Sequence, residues 1–262
     1  GFDVKDVTMT DLITGRETLD DINLIVFCGG FSNSDVLGSA KGWAGAFLYN
    51  PKAKATLDRF YARPDTLSLG ICNGCQLMVE LGLIGQMDNS ANSQLQDNKS
   101  SNCKSSNCQS SNCQSSNYKS SNCKSSNCQI PKMLHNDSRK FESAYLGLDI
   151  PENRSIMFGS LSGSKLGIWV AHGEGKFSLP GKEGDYNIVA KYHYNDYPGN
   201  PNGSDYGVAG ICSRDGRHLA MMPHLERAIF PWQCAWYPAD RRSDEVTPWI
   251  EAFVSARKWI EK

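Results

Sequence analysis

The sequence predicts an α/β fold, a largely parallel open sheet flanked by helices, and three observations carry that reading. Short apolar runs suited to buried strands recur at 24–27, 67–71, 167–171, 188–192, 208–212 and 219–222. Stretches with apolar residues at helical spacing fall between and after them, near Lys52–Tyr61, Gln76–Leu83 and Asp244–Lys262. Glycine-rich or polar segments follow several of the strand runs, and an α/β fold gathers its functional loops there, at the carboxyl ends of its strands.

Taken in order, the first run ends in Cys28-Gly29-Gly30-Phe31-Ser32. Glycines let the main chain approach a ligand closely, so the amides near Gly30 and Phe31 are candidate donors to a developing oxyanion. The run at 67–71 leads through Gly70-Ile71-Cys72-Asn73-Gly74-Cys75-Gln76 into a helical pattern, and that strand–turn–helix reads as a nucleophile elbow. Cys72 stands at its tip, where the positive end of the following helix favours the reactive thiolate. The amide of Asn73, the next residue, joins Gly30 and Phe31 as a possible oxyanion donor. The run at 219–222 opens onto Pro223-His224-Leu225-Glu226-Arg227. His224 can take and return a thiol proton near neutral pH, and Glu226 can hold the ring in one tautomer from the same loop. The last helix places Trp249, Ile250, Phe253, Val254 and Ile260 on one face, with acids at its start and bases at its end as the helix dipole favours.

With 262 residues, 40% hydrophobic content and a net charge of −1, the chain can bury one substantial core and carries no electrostatic footprint for nucleic acid or a membrane surface. No apolar run approaches a membrane span and no signal peptide opens the sequence, so a cytoplasmic enzyme domain is expected. Five of the ten cysteines lie in one low-complexity tract, which repeats Ser-Ser-Asn-Cys-Lys/Gln six times from Ser100 to Gln129, with Tyr118 replacing cysteine once. A five-residue period suits neither helix nor strand and offers almost no apolar surface, so a disordered insertion spanning about 89–130 is expected. Its evenly spaced single cysteines lack the paired Cys-x-x-Cys geometry of zinc sites, and no metal is assigned to them.

Together these segments resemble the class I (triad) glutamine amidotransferases, whose signature is Gly-x-Cys-x-Gly-x-Gln followed much later by His-x-Glu. The likeness extends to Cys28–Ser32, Asp35-Val36-Leu37-Gly38, Gly42-Trp43-Ala44, Phe141-Glu142, His172-Gly173-Glu174-Gly175, Asn200–Ser204 and Met221-Met222-Pro223-His224. These look like the C-terminal glutaminase domains of the formylglycinamide ribonucleotide amidotransferase family. The resemblance implies a flavodoxin-like fold in which Cys72 attacks the side-chain amide of glutamine. His224 would serve as acid and base, and Glu226 would orient it. Gln76, Gly30, Phe31 and Asn73 would hold substrate and oxyanion, and His172 and Gly173 the amino-acid end. No cofactor is implied in this domain; ATP and Mg would serve a synthetase domain or subunit that uses the ammonia. The resemblance also implies a strand and helix before the segment matching Gly1–Val4, so residues 1–262 are expected to form an amidotransferase domain lacking its first strand and helix. In this family proline usually stands where Leu225 does.

Two other functions share some of these residues. A cysteine peptidase or chaperone of related α/β architecture would share the elbow thiol but would need neither Gln76 nor the distal Pro-His-x-Glu. A redox or zinc-binding protein could use Cys72-Asn73-Gly74-Cys75 as a Cys-x-x-Cys pair.

Overall fold

A computed structural model describes residues 1–31, 37–85 and 130–262. The elements in chain order are α1 (Met9–Thr14), β1 (Leu24–Phe27), α2 (Lys41–Tyr49), α3 (Pro51–Ala62), β2 (Leu67–Ile71), α4 (Asn73–Glu80), β3 (Lys132–Leu134), β4 (Glu142–Asp149), β5 (Lys165–His172), β6 (Lys176–Ser178), β7 (Asn187–Tyr192), β8 (Val208–Cys212), β9 (His218–Met221) and α5 (Glu251–Ile260). Seven strands form one sheet in the order β1-β2-β9-β8-β7-β4-β5, and β3 and β6 form a separate antiparallel pair.

The α/β class holds, but the parallel character is confined to one side of the sheet. β1, β2 and β9 run parallel, whereas β9–β8, β8–β7, β7–β4 and β4–β5 are antiparallel. Turn chemistry is the cause at the point of reversal. Between β8 and β9 the chain runs Ser213-Arg214-Asp215-Gly216-Arg217, Asp215 accepts from Ser213 Oγ at 2.5 Å and from Arg217 Nε at 2.7 Å, and Gly216 has φ +78°. An Asp-Gly between apolar runs is a hairpin signal, and a hairpin can only join antiparallel strands. β1 lies at the sheet edge and among the described residues pairs with β2 alone.

The core includes Leu57 and Phe60 of α3, Leu67 and Leu69 of β2 and Leu77 and Met78 of α4, all essentially inaccessible, and extends to Phe158, Trp249 and Ala252. Asn50 starts α3 by accepting from the amides of Lys52 and Ala53, and Pro51 opens its first turn. α4 lies unusually close to the sheet: a Cβ built on Gly74 would stand 2.0 Å from the Phe27 carbonyl oxygen, and one on Gly70 would stand 2.6 Å from the Gly74 oxygen. Only glycine permits that approach.

The last helix is shorter than its sequence pattern suggests. Pro248 cannot donate to a preceding turn, so residues 248–250 form a 3₁₀ turn capped by the Thr247 side chain, and the α-helix begins at Glu251. α1, α2, β3, β4 and β6 carry no strong periodic signal. In β4 the apolar run is only Ala144-Tyr145-Leu146, split from Leu148 by Gly147, and its strand character comes from eight-residue pairing with β5. The cysteine repeat and the Asp35-Val36 motif residues lie outside the described residues.

Candidate active site

β2, the elbow after it and α4 position the candidate nucleophile. Cys72 has φ 52° and ψ −106°, a conformation costing on the order of 1–3 kcal/mol that persists only when its surroundings enforce it. They do so here from both sides, since Cys72 N donates to Met221 O at 2.9 Å and Gln76 N donates to Cys72 O at 3.0 Å. The Cys72 Sγ lies 3.6 Å from the Ala171 carbonyl oxygen at the end of β5. Cys75, one helical turn further on, is fully inaccessible, and burial, with the neighbouring Cys72 charge, pushes its thiol well above the ordinary range. The two cysteines are not joined in a disulfide.

β9 delivers His224 to the same place. Its amide donates to Trp169 O at 2.8 Å, which ties the 3₁₀ turn Leu225–Arg227 to β5, and Leu225, where the resembled family carries proline, is buried in the core. His224 Nδ1 meets Glu226 Oε1 at 2.6 Å, so the carboxylate fixes the ring. The other nitrogen, Nε2, is buried without a hydrogen-bond partner of ordinary geometry, while the Cys72 thiol lies near enough to perturb the ring. Burial opposes a charge on His224, but hydrogen bonding to Cys72 and Glu226 and the attraction of both outweigh it, and the imidazole is raised to about 9. Gly29 lies between the pair: a Cβ there would stand 3.1 Å from His224 Cε1 and 3.3 Å from Cys72 Cβ. The thiol, imidazole and carboxylate therefore lie together, and Gly30 and Phe31 line the same cavity of about 650 Å³.

The far wall of that cavity comes from the end of β5 and the loop to β6. His172 is its buried member, with both ring nitrogens unpartnered; burial, and secondarily the nearby His224 charge, lower it to about 4, so it is a neutral imidazole near pH 7. Gln76 spans the cavity floor: its Nε2 donates to Glu174 O at 2.8 Å and its Oε1 accepts from Asn73 Nδ2 at 2.7 Å. The Asn73 side chain donates to Gln76, and its backbone amide is the group nominated for an oxyanion.

Three residues in or behind the cavity wall, Asn136, Arg139 and Lys140, carry no signal in the sequence. Asn136 holds the 172–175 loop, donating from Nδ2 to His172 O at 2.8 Å and accepting at Oδ1 from Gly175 N at 2.9 Å. In sequence, His135-Asn136-Asp137 reads only as a polar turn. Arg139, at φ 55°, Lys140 and Arg227 bring positive charge to the rim, with Phe141 among them. Such a rim suits a small anionic or zwitterionic substrate. Among the described residues no group of three or more His, Cys, Asp or Glu side chains could hold a metal ion, and no helix is long and apolar enough to cross a membrane.

Residues 1–128 and 118–260 match the CobB/CobQ-like glutamine amidotransferase domain family. The chain is 41% identical to human phosphoribosylformylglycinamidine synthase over 99% of its own length and 18% of that protein's. It is 40% identical to the probable phosphoribosylformylglycinamidine synthase, chloroplastic/mitochondrial, of Arabidopsis thaliana, over all of this chain and 17% of that one. The chain thus spans less than a fifth of the relatives it matches. Its fold is similar to that of a chain in the structure of PurLQS from Thermotoga maritima, with a TM-score of 0.59 and 23% identity over 93% of this chain and 82% of that one.

Proposed function

This chain belongs to the CobB/CobQ-like glutamine amidotransferase family, and we propose that it is the glutaminase of a phosphoribosylformylglycinamidine synthase, which supplies ammonia to a synthetase domain or subunit of the same enzyme. The observation that carries the reading is the placement of His224 between Glu226 and the Cys72 elbow, inside a cavity whose floor is Gln76.

In this mechanism the Cys72 thiolate attacks the side-chain carbonyl carbon of glutamine. The tetrahedral oxyanion is held by the amides of Gly30, Phe31 and Asn73. The raised His224 carries the thiol proton as an imidazolium and gives it to the departing nitrogen, which leaves as ammonia. A glutamyl thioester remains on Cys72, and neutral His224 then takes a proton from water, whose oxygen attacks the thioester carbonyl and releases glutamate. Glu226 keeps Nδ1 protonated and Nε2 aimed at the reacting atoms throughout. His172, Gly173 and Gln76 hold the amino-acid end of glutamine. The synthetase region, with ATP and Mg, would use the ammonia to convert formylglycinamide ribonucleotide to formylglycinamidine ribonucleotide, in the cytoplasm.

A redox pair fits less well, because the Cys75 thiol is buried and resists ionisation. The deciding experiment compares Cys72→Ala with Cys75→Ala in the full-length protein. Cys72→Ala should lose glutamine hydrolysis altogether yet still support the synthetase reaction when ammonia is supplied, and a glutamine-analogue electrophile should label Cys72 alone. If Cys75→Ala is the dead variant, or mild oxidation joins the two cysteines, the reading fails.

A further inference from the structure

Glu174 does something its place in a glutamine-binding wall does not require: its carboxylate turns away from the cavity floor and reaches the start of α2. There Glu174 Oε2 accepts from Ser39 Oγ at 2.6 Å and from the Ser39 amide. Three consecutive residues in this segment have positive φ, Gly38 at 74°, Ser39 at 46° and Ala40 at 60°. These residues form a tight turn just before the nine-residue α2, whose positive end favours a carboxylate there. The carboxylate lies close enough that a Cβ on Gly38 would stand 3.0 Å from both oxygens. On the other side Glu174 Oε1 is 3.5 Å from His135 Nδ1.

The two ends of this contact lead to opposite parts of the site. Through its own carbonyl Glu174 holds Gln76 Nε2, and through Gln76 it reaches Asn73. Through Ser39 it fixes the start of α2, whose Trp43 and Phe47 pack their rings on Phe27 with centroids 6.0 and 6.4 Å away. Phe27 is the last residue of β1 and lies three residues before Gly30. Left-handed Ser39 and Ala40 are also conformations that non-glycine residues hold only when the surroundings compel them.

We infer that Glu174 is a positioning residue: by clamping the start of α2 it aligns the Gly29–Phe31 segment with the Asn73 amide, so that the oxyanion donors on β1 and α4 face one point. This rests on the glutaminase reading, and it assigns Glu174 a role in the reaction step rather than in holding glutamine. The aligned donors matter only once an oxyanion forms, so loosening them lowers the rate of thioester formation and leaves ground-state glutamine binding nearly untouched.

The test uses Glu174→Ala, Glu174→Gln and Ser39→Ala in the full-length protein. Glutamine-dependent kcat should fall about 10- to 100-fold in Glu174→Ala with KM within about threefold, a smaller loss than removing an oxyanion donor outright. Glu174→Gln, which keeps one acceptor oxygen for Ser39, should recover part of it, and Ser39→Ala, which leaves the amide contact, should lose less. Alkylation of Cys72 by iodoacetamide, a displacement that forms no oxyanion, should proceed at the wild-type rate in all three. Hydrogen exchange at 29–31 and 37–40 should quicken in Glu174→Ala. A KM rise with unchanged kcat would make Glu174 a substrate ligand, and a parallel fall in alkylation would make it a general structural support; either overturns the inference. If the wild-type protein hydrolyses no glutamine, the glutaminase reading fails instead, and the exchange measurement still decides whether the clamp exists.

Discussion

At the residue scale, the elbow thiol and the raised imidazole depend on each other. His224 is held at about 9 against the effect of its own burial by hydrogen bonds and charge from Cys72 and Glu226. Removing either partner should therefore let burial dominate. In Cys72→Ala the His224 ring should titrate well below 9, and in Glu226→Gln it should also fall, as read by NMR of the ring protons against pH. A ring that still titrates near 9 in both variants would show that something other than the triad charges it. The sign for stability follows from the same shift. A histidine whose folded value exceeds its ordinary 6.5 stabilises the fold fully below about pH 6.5, and that contribution is lost as pH rises through about 9. The stability difference between the parent and His224→Gln should accordingly shrink across that window, measured by denaturant unfolding at several pH values.

At the element scale, two of the helical glycines, Gly74 and Gly45, sit in opposite surroundings. Gly74 lies in α4 against the Phe27 carbonyl, with no room for a methyl group, because the obstructing atom is backbone and cannot rotate away. Gly74→Ala should push α4 off β1 and destabilise the protein by several kcal/mol, in the range of severe core overpacking. It should also displace Cys72 and abolish activity. Gly45 in α2 meets nothing closer than 3.8 Å, the edge of the Tyr49 ring. Gly45→Ala should stabilise the protein by about 0.4–1 kcal/mol, since it restricts the unfolded chain without a clash. Thermal unfolding of the two variants checks both signs, and a stabilised Gly74→Ala would mean the α4–β1 approach is looser than described.

At the scale of the whole molecule, the flanks of the cysteine repeat meet: a Cβ on Gly85 would lie 2.9 Å from Pro131 Cγ. Bridging them takes little chain, and loop closure changes by only about 0.6 kcal/mol per doubling of length. Deleting residues 91–129 should leave the melting temperature and glutamine turnover nearly unchanged, with and without zinc or a chelator. A large loss in either, or a chelator effect confined to the parent, would make the repeat a structural or metal-binding element.

The elbow, the Pro-His-x-Glu loop and the main buried strands were legible in the sequence, because each rests on local chemistry. An apolar run, a glycine-permitted turn and a helix start are set by neighbours a few residues apart. β4 and the binding-loop support of Asn136 were not, because a strand whose few apolar residues are split by Gly147 is ordered by the strand it pairs with, and a buried asparagine is recognisable only once the carbonyl it holds is beside it. The fold also decided the sense of the sheet beyond β9, where the Asp215-Gly216 turn forces reversal. It alone joined Glu174 to Ser39, 135 residues apart, since that contact requires two distant loops to meet and no local pattern records the meeting.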